Sequence, residues 1–286
     1  MDKVIKIEDK EYPKLLKEIG NDAPKKLYYK GKWNSDIFEN CLAVVGSRHL
    51  TSYGKKITEQ FVTEIAALGI TIVSGFMYGG DEAAHSATVR IGGRTIAVMP
   101  CGIDIIHPEY QEGLYNEILE KNGLIISELE GKFLPVNWTY ARRNRIVAGL
   151  SKAILIVEAG LNSGSLITAK YAKKYGRKIF AVPGQITSEV SKGTIQLIKE
   201  GAQVATEPGD ILKYYNLSPV KTSLTKQNLA LSKEEQKIIE QLKREPMDAD
   251  IIAITLNVSV VKIGATLSLM QLKGFINQES GKYYVN

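Results

Sequence analysis

Six short apolar runs, separated by helical segments, constrain the fold of this 286-residue chain more than any other feature. The runs predict strands at Leu42–Gly46, Ile70–Ser74, Arg94–Met99, Leu124–Ser127, Ala153–Val157 and Lys178–Val182. After each run comes a loop containing Gly, Pro, Ser or Asn, and then a segment with helical spacing, at roughly 53–68, 80–91, 109–121, 140–149, 163–175 and 190–200. Apolar strands that alternate with helices form a parallel sheet covered on both faces. The pattern therefore predicts an α/β fold with an extended Rossmann-like, doubly wound, mostly parallel sheet.

The sequence divides into four predicted parts. Residues 1–38 form a short amphipathic N-terminal extension, and residues 39–215 carry the alternating strands and helices. Residues 216–229 are polar, contain Pro219 and lack periodicity, which is typical of a linker. In residues 230–286, a capping box from Ser232 to Glu235 opens the first of three helices, and a hairpin follows around Ser280-Gly281. This arrangement predicts a small C-terminal winged-helix domain.

The loops that follow the strands are the first candidates for a site, because ligands of an open parallel sheet bind beyond the carboxyl ends of its strands. The first strand ends in Gly46-Ser47-Arg48, where the backbone amides, a hydroxyl and a guanidinium are available to a phosphate. The second strand ends in Ser74-Gly75. After the fifth, Ser163-Gly164-Ser165 opens a helix that contains Lys170. Any one of these loops is also explained as a tight turn, but together they predict a single phosphate pocket.

Aromatic and basic side chains are concentrated at the start of the fourth predicted helix, in the segment Trp138–Arg145. Arginines near a helix N-terminus oppose the macrodipole, which favours a bound anion there. Tyr140 beside Arg142, Arg143 and Asn144 suits base stacking, worth ~1–3 kcal/mol per base. The alternative is an exposed basic face with its aromatic rings partly buried. The combination of base stacking with phosphate binding favours a functional site over this alternative.

Composition limits the remaining possibilities. A formal net charge of +6 and a pI of about 9.0 are compatible with a polyanionic partner, although many other proteins share them. Cys41 and Cys101 lack metal-ligand spacing, so neither a metal site nor a disulfide is expected. The first strand is not followed by a G-x-G-x-x-G pattern, which disfavours a dinucleotide, and no cofactor is expected. The N-terminus has no targeting pattern, and no run of roughly 18 apolar residues predicts a membrane span. We therefore expect a cytoplasmic protein without a membrane partner.

Seven segments, taken in order, resemble the core of the DNA-processing protein A family, also called DprA or Smf. They are Val45–Arg48, Val73–Gly75, Gly93–Val98, Cys101–Asp104, Arg142–Gly149, Ser163–Ala169 and Ala181–Gly184. The resemblance spans roughly residues 40–212, and the tail resembles the winged-helix domain of many members. It implies a non-enzymatic protein that binds single-stranded DNA, protects incoming DNA and dimerises through the Rossmann-like domain. It also implies loading of the RecA recombinase during natural transformation.

By position, the resemblance assigns a DNA phosphate to Gly46–Arg48 and a base to Tyr140. The complete predicted single-stranded DNA site is Gly46, Ser47, Arg48, Gly75, Tyr140, Arg142, Arg143, Asn144, Ser163, Gly164, Ser165 and Lys170. This sequence differs from the usual family pattern at three positions. Tyr78 replaces a basic residue, Ala141 replaces a common proline, and Asn137 occupies a position that is often basic in relatives.

Two other functions remain as alternatives. Rossmann-like phosphoribohydrolases place a catalytic glutamate where this chain has Thr168, and only Glu128 and Glu158 remain as carboxylates at strand ends. A transcription factor would use the winged-helix domain, but its predicted recognition helix, Ser259–Leu272, holds Lys262 as its only basic residue before Lys273. Residues 230–286 contain seven Lys or Arg and seven Asp or Glu, so we expect protein contact rather than strong duplex binding.

Overall fold

The computed structural model describes residues 3–218, 231–272, 274–279 and 281–285. The chain forms two compact units, Met1–Val220 and Lys221–Asn286, and each is described by itself. Residues 219–229 of the predicted linker lie outside the described residues. So does Ser280, one of the two residues of the hairpin turn predicted at Ser280-Gly281.

A nine-stranded sheet forms the centre of the first unit. Its strands are β1 Lys3–Lys6, β2 Lys26–Gly31, β3 Cys41–Val45, β4 Thr71–Ser74, β5 Thr95–Val98, β6 Leu124–Ser127, β7 Ala153–Ile156, β8 Lys178–Ala181 and β9 Gln203–Val204. They lie in the order β1-β2-β6-β5-β4-β3-β7-β8-β9. The two pairings made by β2 are antiparallel and all the others are parallel. The mostly parallel sheet predicted from the sequence is confirmed, and β3 to β8 are its six predicted strands.

Three further strands have no long apolar run to reveal them: β1 and β9 at the two edges of the sheet, and β2 next to β1. Two of these, β1 and β2, lie within the predicted N-terminal extension. Most residues of β1 are exposed, and β9 has only two residues, both exposed. Since an edge strand buries little, its sequence carries little of the pattern on which strand prediction depends.

Helices cover both faces of the sheet. They are α1 Lys14–Lys17, α2 Ser52–Ala67, α3 Gly80–Arg90, α4 Glu112–Glu120, α5 Asn137–Leu150, α6 Ser165–Lys174, α7 Lys192–Lys199 and α8 Pro208–Tyr214. Short 3₁₀ segments occur at Gly20–Asp22, Ser35–Phe38, Glu109–Gln111 and Glu189–Ser191. Alternate residues of β3 enter different cores: Ala43 and Val45 pack on the side of α5 and α6, and Leu42 and Val44 on the side of α2. The fold is therefore doubly wound.

The start of α5 differs from the prediction. The sequence places this helix at about 140–149, but it begins at Asn137, where the Thr139 hydroxyl donates to the Val136 carbonyl (2.8 Å) and accepts from the Val136 amide (3.2 Å). Arg142 and Arg143 consequently lie beyond the first turn. The unfavourable interaction with the helix dipole, which falls off within one turn, does not apply to them.

The point where the sheet changes winding direction fixes the position of a site. The chain runs outward from β3 through β4, β5 and β6, and then crosses back through α5 to β7 on the other side of β3. At such a switch point the connections at the carboxyl ends diverge and leave a crevice. Here the crevice opens between the loops that follow β3 and β7.

The second unit contains α9 Lys233–Leu242, α10 Ala249–Leu256, α11 Val260–Leu272 and a hairpin of β10 Ile276–Glu279 with β11 Lys282–Val285. Ile238, Ile252, Ile263 and Tyr283 contribute to its core. The predicted capping box is present, because the Ser232 hydroxyl accepts from the Glu235 amide at 3.2 Å. Three helices followed by a hairpin confirm the winged-helix prediction.

Among the described residues, no single helix is long and apolar enough to cross a membrane. One pair of helices, Ala249–Leu256 with Val260–Gln271, meets that criterion jointly, by length and composition alone, and is bent by 115°.

Candidate nucleic-acid interface

An open cleft of about 680 Å³ lies beyond the carboxyl ends of β3, β4 and β7, at the switch point. It brings together ten of the twelve predicted site residues: Gly46, Ser47, Arg48, Gly75, Tyr140, Arg143, Asn144, Ser163, Gly164 and Ser165. Asn137, Tyr78 and His49 also line it. The remaining two predicted residues, Arg142 and Lys170, lie elsewhere.

The loop after β3 is held by its own backbone between β7 and α3. The Ser47 amide donates to the Glu158 carbonyl at 2.7 Å, and the Ser47 carbonyl accepts from the Gly80 amide at 3.1 Å. A Cβ on Gly80 would lie 2.7 Å from the Gly46 Cα, so this approach requires glycine. The expectation that the loop amides donate to a phosphate is therefore wrong for Ser47, whose amide is already engaged. Its hydroxyl accepts from the His49 amide at 3.0 Å and keeps its own hydrogen for a ligand.

Arg48 projects into the mouth of the cleft between two aromatic rings. Its guanidinium carbon lies 5.6 Å from the centroid of the Tyr78 ring and 5.2 Å from that of Tyr140. The side chain is exposed and, within the part of the chain that the structure describes, makes no ion pair or hydrogen bond. A guanidinium fixed against rings and not neutralised by a carboxylate can bind an incoming anion.

Tyr140 is anchored by His107. The Tyr140 hydroxyl and His107 Nε2 share a hydrogen bond of 2.8 Å. Burial lowers the pKa of His107, so the imidazole is neutral near pH 7, and burial raises the pKa of Tyr140. The contact holds the half-buried ring in place and leaves its aromatic surface toward Arg48.

A buried cation forms the floor of the cleft. Arg143 Nη1 donates to the Val98 carbonyl at 2.8 Å, and its Nη2 lies 3.9 Å from Asp81 Oδ2. Burial raises the pKa of Asp81, and the Arg143 charge opposes that shift. Gly75 makes room for the pair, because a Cβ there would lie 1.8 Å from Arg143 Nη1.

The N-terminus of α6 forms the opposite wall. The hydroxyls of Ser163 and Ser165 share a hydrogen bond of 2.7 Å, and the Asn144 side-chain amide donates to the Gly164 carbonyl at 3.2 Å. Asn144 thereby ties α5 to the start of α6. The positive end of the α6 dipole faces the cleft, which favours a negatively charged ligand.

Two predicted residues, Arg142 and Lys170, do not line the cleft. Arg142 lies outside the cleft, with its guanidinium 5.5 Å from the Trp138 ring and paired with Glu128 at 3.1 and 3.2 Å. Since successive residues of a helix point about 100° apart, Arg142 and Arg143 face different surroundings. Lys170 comes five residues after Ser165 and lines a separate groove of about 380 Å³ between α6, β8 and α7.

The two carboxylates that the hydrolase alternative would use are engaged in structural contacts. Glu128 accepts from Arg142 and from Arg145, the latter at 2.6 Å. Glu158 is buried and accepts from the Thr51 amide at 2.9 Å and from its hydroxyl at 2.5 Å. Neither lines the cleft. Across the described ranges, no group of three or more His, Cys, Asp or Glu residues could hold a metal ion.

Two residues that shape the cleft are not predicted from the sequence: Tyr78 is distinguished there only as the loss of a basic residue, and nothing in the sequence around His107 singles it out. Tyr78 is a wall of the cleft, and His107 orients Tyr140. The position of Tyr78 after β4 was visible in the sequence. Its contact with Arg48 was not, because the two loops meet only in the fold.

A doubly wound α/β protein with a cleft at the switch point of its sheet belongs to the Rossmann-like class. The family model for DNA recombination-mediator protein A matches residues 3–216, and that for the DprA winged helix domain matches residues 223–282. The chain belongs to the DprA family.

Individual relatives agree with this assignment. The chain is 34% identical to protein Smf of Escherichia coli K12 over 278 residues, covering 95% of this chain and 74% of that protein. It is 39% identical to the DNA processing protein DprA of Streptococcus pneumoniae R6 over 201 residues, covering 70% of each.

Two solved structures of family members share the fold. The crystal structure of Streptococcus pneumoniae DprA matches with a TM-score of 0.69 at 39% identity, over 74% of each chain. A solved structure of DNA processing protein A from Helicobacter pylori, described for its unique single-stranded DNA binding mode, matches with a TM-score of 0.66 at 32% identity. It covers 76% of this chain and 98% of that one.

Proposed function

We propose that this protein binds single-stranded DNA in the cleft, with a phosphate at Gly46–Arg48 and a base against Tyr140. The observation that carries this proposal is the exposed Arg48 guanidinium held between Tyr78 and Tyr140, which has no ion-pair partner among the residues that the structure describes. An arginine can bind a phosphate with two parallel hydrogen bonds, and an adjacent ring can stack on the base of the same nucleotide.

Single strands are the proposed form because the bases of a duplex are stacked and paired, so a ring beside the phosphate site cannot reach their faces. The α6 N-terminus beside the site adds positive potential without base contacts. Affinity is therefore expected to depend strongly on salt and weakly on sequence.

We propose that the protein is not an enzyme. In support, Glu128 and Glu158 are held by Arg142, Arg145 and Thr51, so neither is free to activate water. A nucleotide-hydrolysis assay with purine nucleoside monophosphates tests this. Release of free base above background would contradict the proposal.

Family membership supports the wider role. We propose that the protein is cytoplasmic, dimerises through the sheet-bearing unit, protects incoming single strands and loads RecA recombinase onto them in natural transformation. Light scattering on the full chain tests dimerisation. RecA filament assembly on protein-coated single strands, with and without this protein, tests loading.

The binding experiment is fluorescence anisotropy of one labelled oligonucleotide, single-stranded or in a duplex, across a salt series. Arg48→Ala is compared with wild type and with Arg90→Ala, a control at the far end of α3 whose arginine pairs with Glu59. We expect a preference for single strands, and at least a tenfold rise in Kd for Arg48→Ala, since a hydrogen bond to a charged group is worth about 1.5–3 kcal/mol. The salt slope should fall by about 0.7, corresponding to one phosphate contact fewer. Equal binding of single strands and duplex, or an Arg48→Ala variant that matches wild type, would contradict the proposal.

A further inference from the structure

We infer a second nucleobase site, outside the cleft, on an aromatic platform formed by Phe133 and Trp138 and braced by Arg142. This inference rests on the proposed binding of single-stranded DNA and extends it: a strand leaving the cleft along α5 would stack a further base on this platform.

The platform consists of large rings that the fold leaves exposed. Phe133 is 44% exposed and Trp138 49%, and their ring centroids lie 6.2 Å apart at an interplanar angle of 64°. The neighbouring Leu134 and Val136 are exposed as well. Four large apolar side chains exposed within six residues are typical of a binding surface rather than of scattered surface hydrophobics.

Arg142 fixes the platform instead of binding a phosphate. Its guanidinium lies 5.5 Å from the Trp138 ring, and its Nε and Nη2 donate to the two carboxylate oxygens of Glu128 at 3.1 and 3.2 Å. The carboxylate neutralises the charge and fixes the orientation of the guanidinium plane. The indole is therefore held in place before any ligand arrives, which lowers the entropic cost of stacking on it.

The position of Trp138 on α5, next to the cleft, favours a nucleobase as the ligand of the platform. Asn137 and Tyr140, on either side of Trp138 in the sequence, line the cleft. Because an α-helix rises about 1.5 Å per residue, Trp138 lies at nearly the same position along the α5 axis as Asn137 and Tyr140, but on a different face of the helix. Arg143 borders both the cleft and the small depression that Trp138 and Arg142 line. The platform is thus continuous with the phosphate site, and stacking on aromatic rings accepts any base.

Tryptophan fluorescence reports directly on binding at the platform. Trp33 and Trp138 are its two tryptophans, and Trp33 is half-buried against Tyr29 and Phe38. Trp33→Phe therefore leaves Trp138 as the single indole. We expect its fluorescence to be quenched when the variant is titrated with oligothymidylate of about 20 nucleotides, and much less with one of about 5, which fills the cleft alone.

Affinity supplies the second readout. Trp138→Ala should weaken binding of the longer strand by roughly 5- to 150-fold and leave the shorter strand unchanged, whereas Trp138→Phe should retain most of the affinity. Tyr214→Ala is the matched control, because Tyr214 is a similarly exposed ring whose hydroxyl contacts the Lys152 carbonyl at the amino end of β7, whereas the cleft lies at the carboxyl ends of the strands. Circular dichroism melting checks that each variant folds.

The outcomes separate the two proposals. A wild-type chain that binds neither oligonucleotide overturns the proposed function and the platform with it. Binding of the longer strand with unchanged Trp138 fluorescence, or with equal affinity for Trp138→Ala, overturns the platform alone and indicates a protein partner for these rings.

Discussion

Replacing Gly75 by alanine should damage the floor of the cleft. A Cβ at this position would lie 1.8 Å from Arg143 Nη1 and 2.2 Å from Asp81 Oδ2. The guanidinium cannot simply move aside, because its side chain is only 7% exposed and Nη1 donates to the Val98 carbonyl. Gly75→Ala therefore removes the hydrogen bond, separates the ion pair, or both.

The loss of unfolding free energy in Gly75→Ala can be estimated from these contacts. A hydrogen bond to a charged group contributes about 1.5–3 kcal/mol, and breaking a buried ion pair costs about 3–5 kcal/mol. Because the displaced Arg143 can recover some hydration in the open cleft, we expect the free energy of unfolding to fall by about 3 kcal/mol. Urea unfolding followed by tryptophan fluorescence measures this, since Trp33 and Trp138 both lie in the sheet-bearing unit. The midpoint should fall by roughly 1 M.

Gly164→Ala is the matched control. Gly164 also lines the cleft, but it has φ −60° and ψ −23°, and a Cβ there would meet nothing within 4 Å. Alanine is compatible with this conformation, so the stability should stay equal or rise by about 0.4–1 kcal/mol. A Gly75→Ala variant within about 0.5 kcal/mol of wild type would mean that the Arg143 and Asp81 contacts do not depend on a glycine at position 75.

Three further predictions concern other residues. Tyr78→Lys should steepen the salt dependence of single-stranded DNA binding by about 0.7, because it adds a phosphate contact beside Arg48, whereas Tyr78→Phe should leave the slope unchanged; anisotropy across a salt series measures both. Burial lowers the pKa of His85 to about 4, so the folded state binds fewer protons than the unfolded state between about pH 6.5 and 4. Stability should therefore decline as the pH falls through that window, by up to about 3 kcal/mol, and His85→Asn should flatten the decline in urea titrations; an equal slope would argue against a buried neutral imidazole. Thr51→Val should cost about 1–2 kcal/mol of unfolding free energy, because Thr51 caps α2 and donates to the buried Glu158, and Thr51→Ser should restore most of it.

The sheet and the position of the cleft follow directly from the sequence. Fully buried strands such as β3 have no polar residue to obscure them, and a parallel sheet requires ligands at the carboxyl ends of its strands. Gly46, Gly75 and Ser163 could thus be placed in one site without coordinates. The same logic fails for β1 and β9, which are exposed edge strands.

Side-chain direction within a helix could not be read from the sequence to the same accuracy. Arg142 and Arg143 are neighbours in one motif, yet one braces Trp138 on the surface and the other lies beneath the cleft. The difference depends on where α5 begins and on which partners, Glu128 or Val98, its turns bring close. Glu128 lies 14 residues before Arg142, and Val98 lies 45 residues before Arg143, so only the fold shows which arginine meets which partner.

Photocrosslinking tests the central claim most directly. The full-length chain would be irradiated with an oligonucleotide in which thymidines are replaced by 5-iodouridine, and the crosslinked residues would be identified by mass spectrometry. We predict crosslinks to Tyr140 and Tyr78 at the cleft, and their loss in Arg48→Ala. Crosslinks confined to the winged-helix unit, or unchanged in Arg48→Ala, would contradict the placement of single-stranded DNA in the cleft.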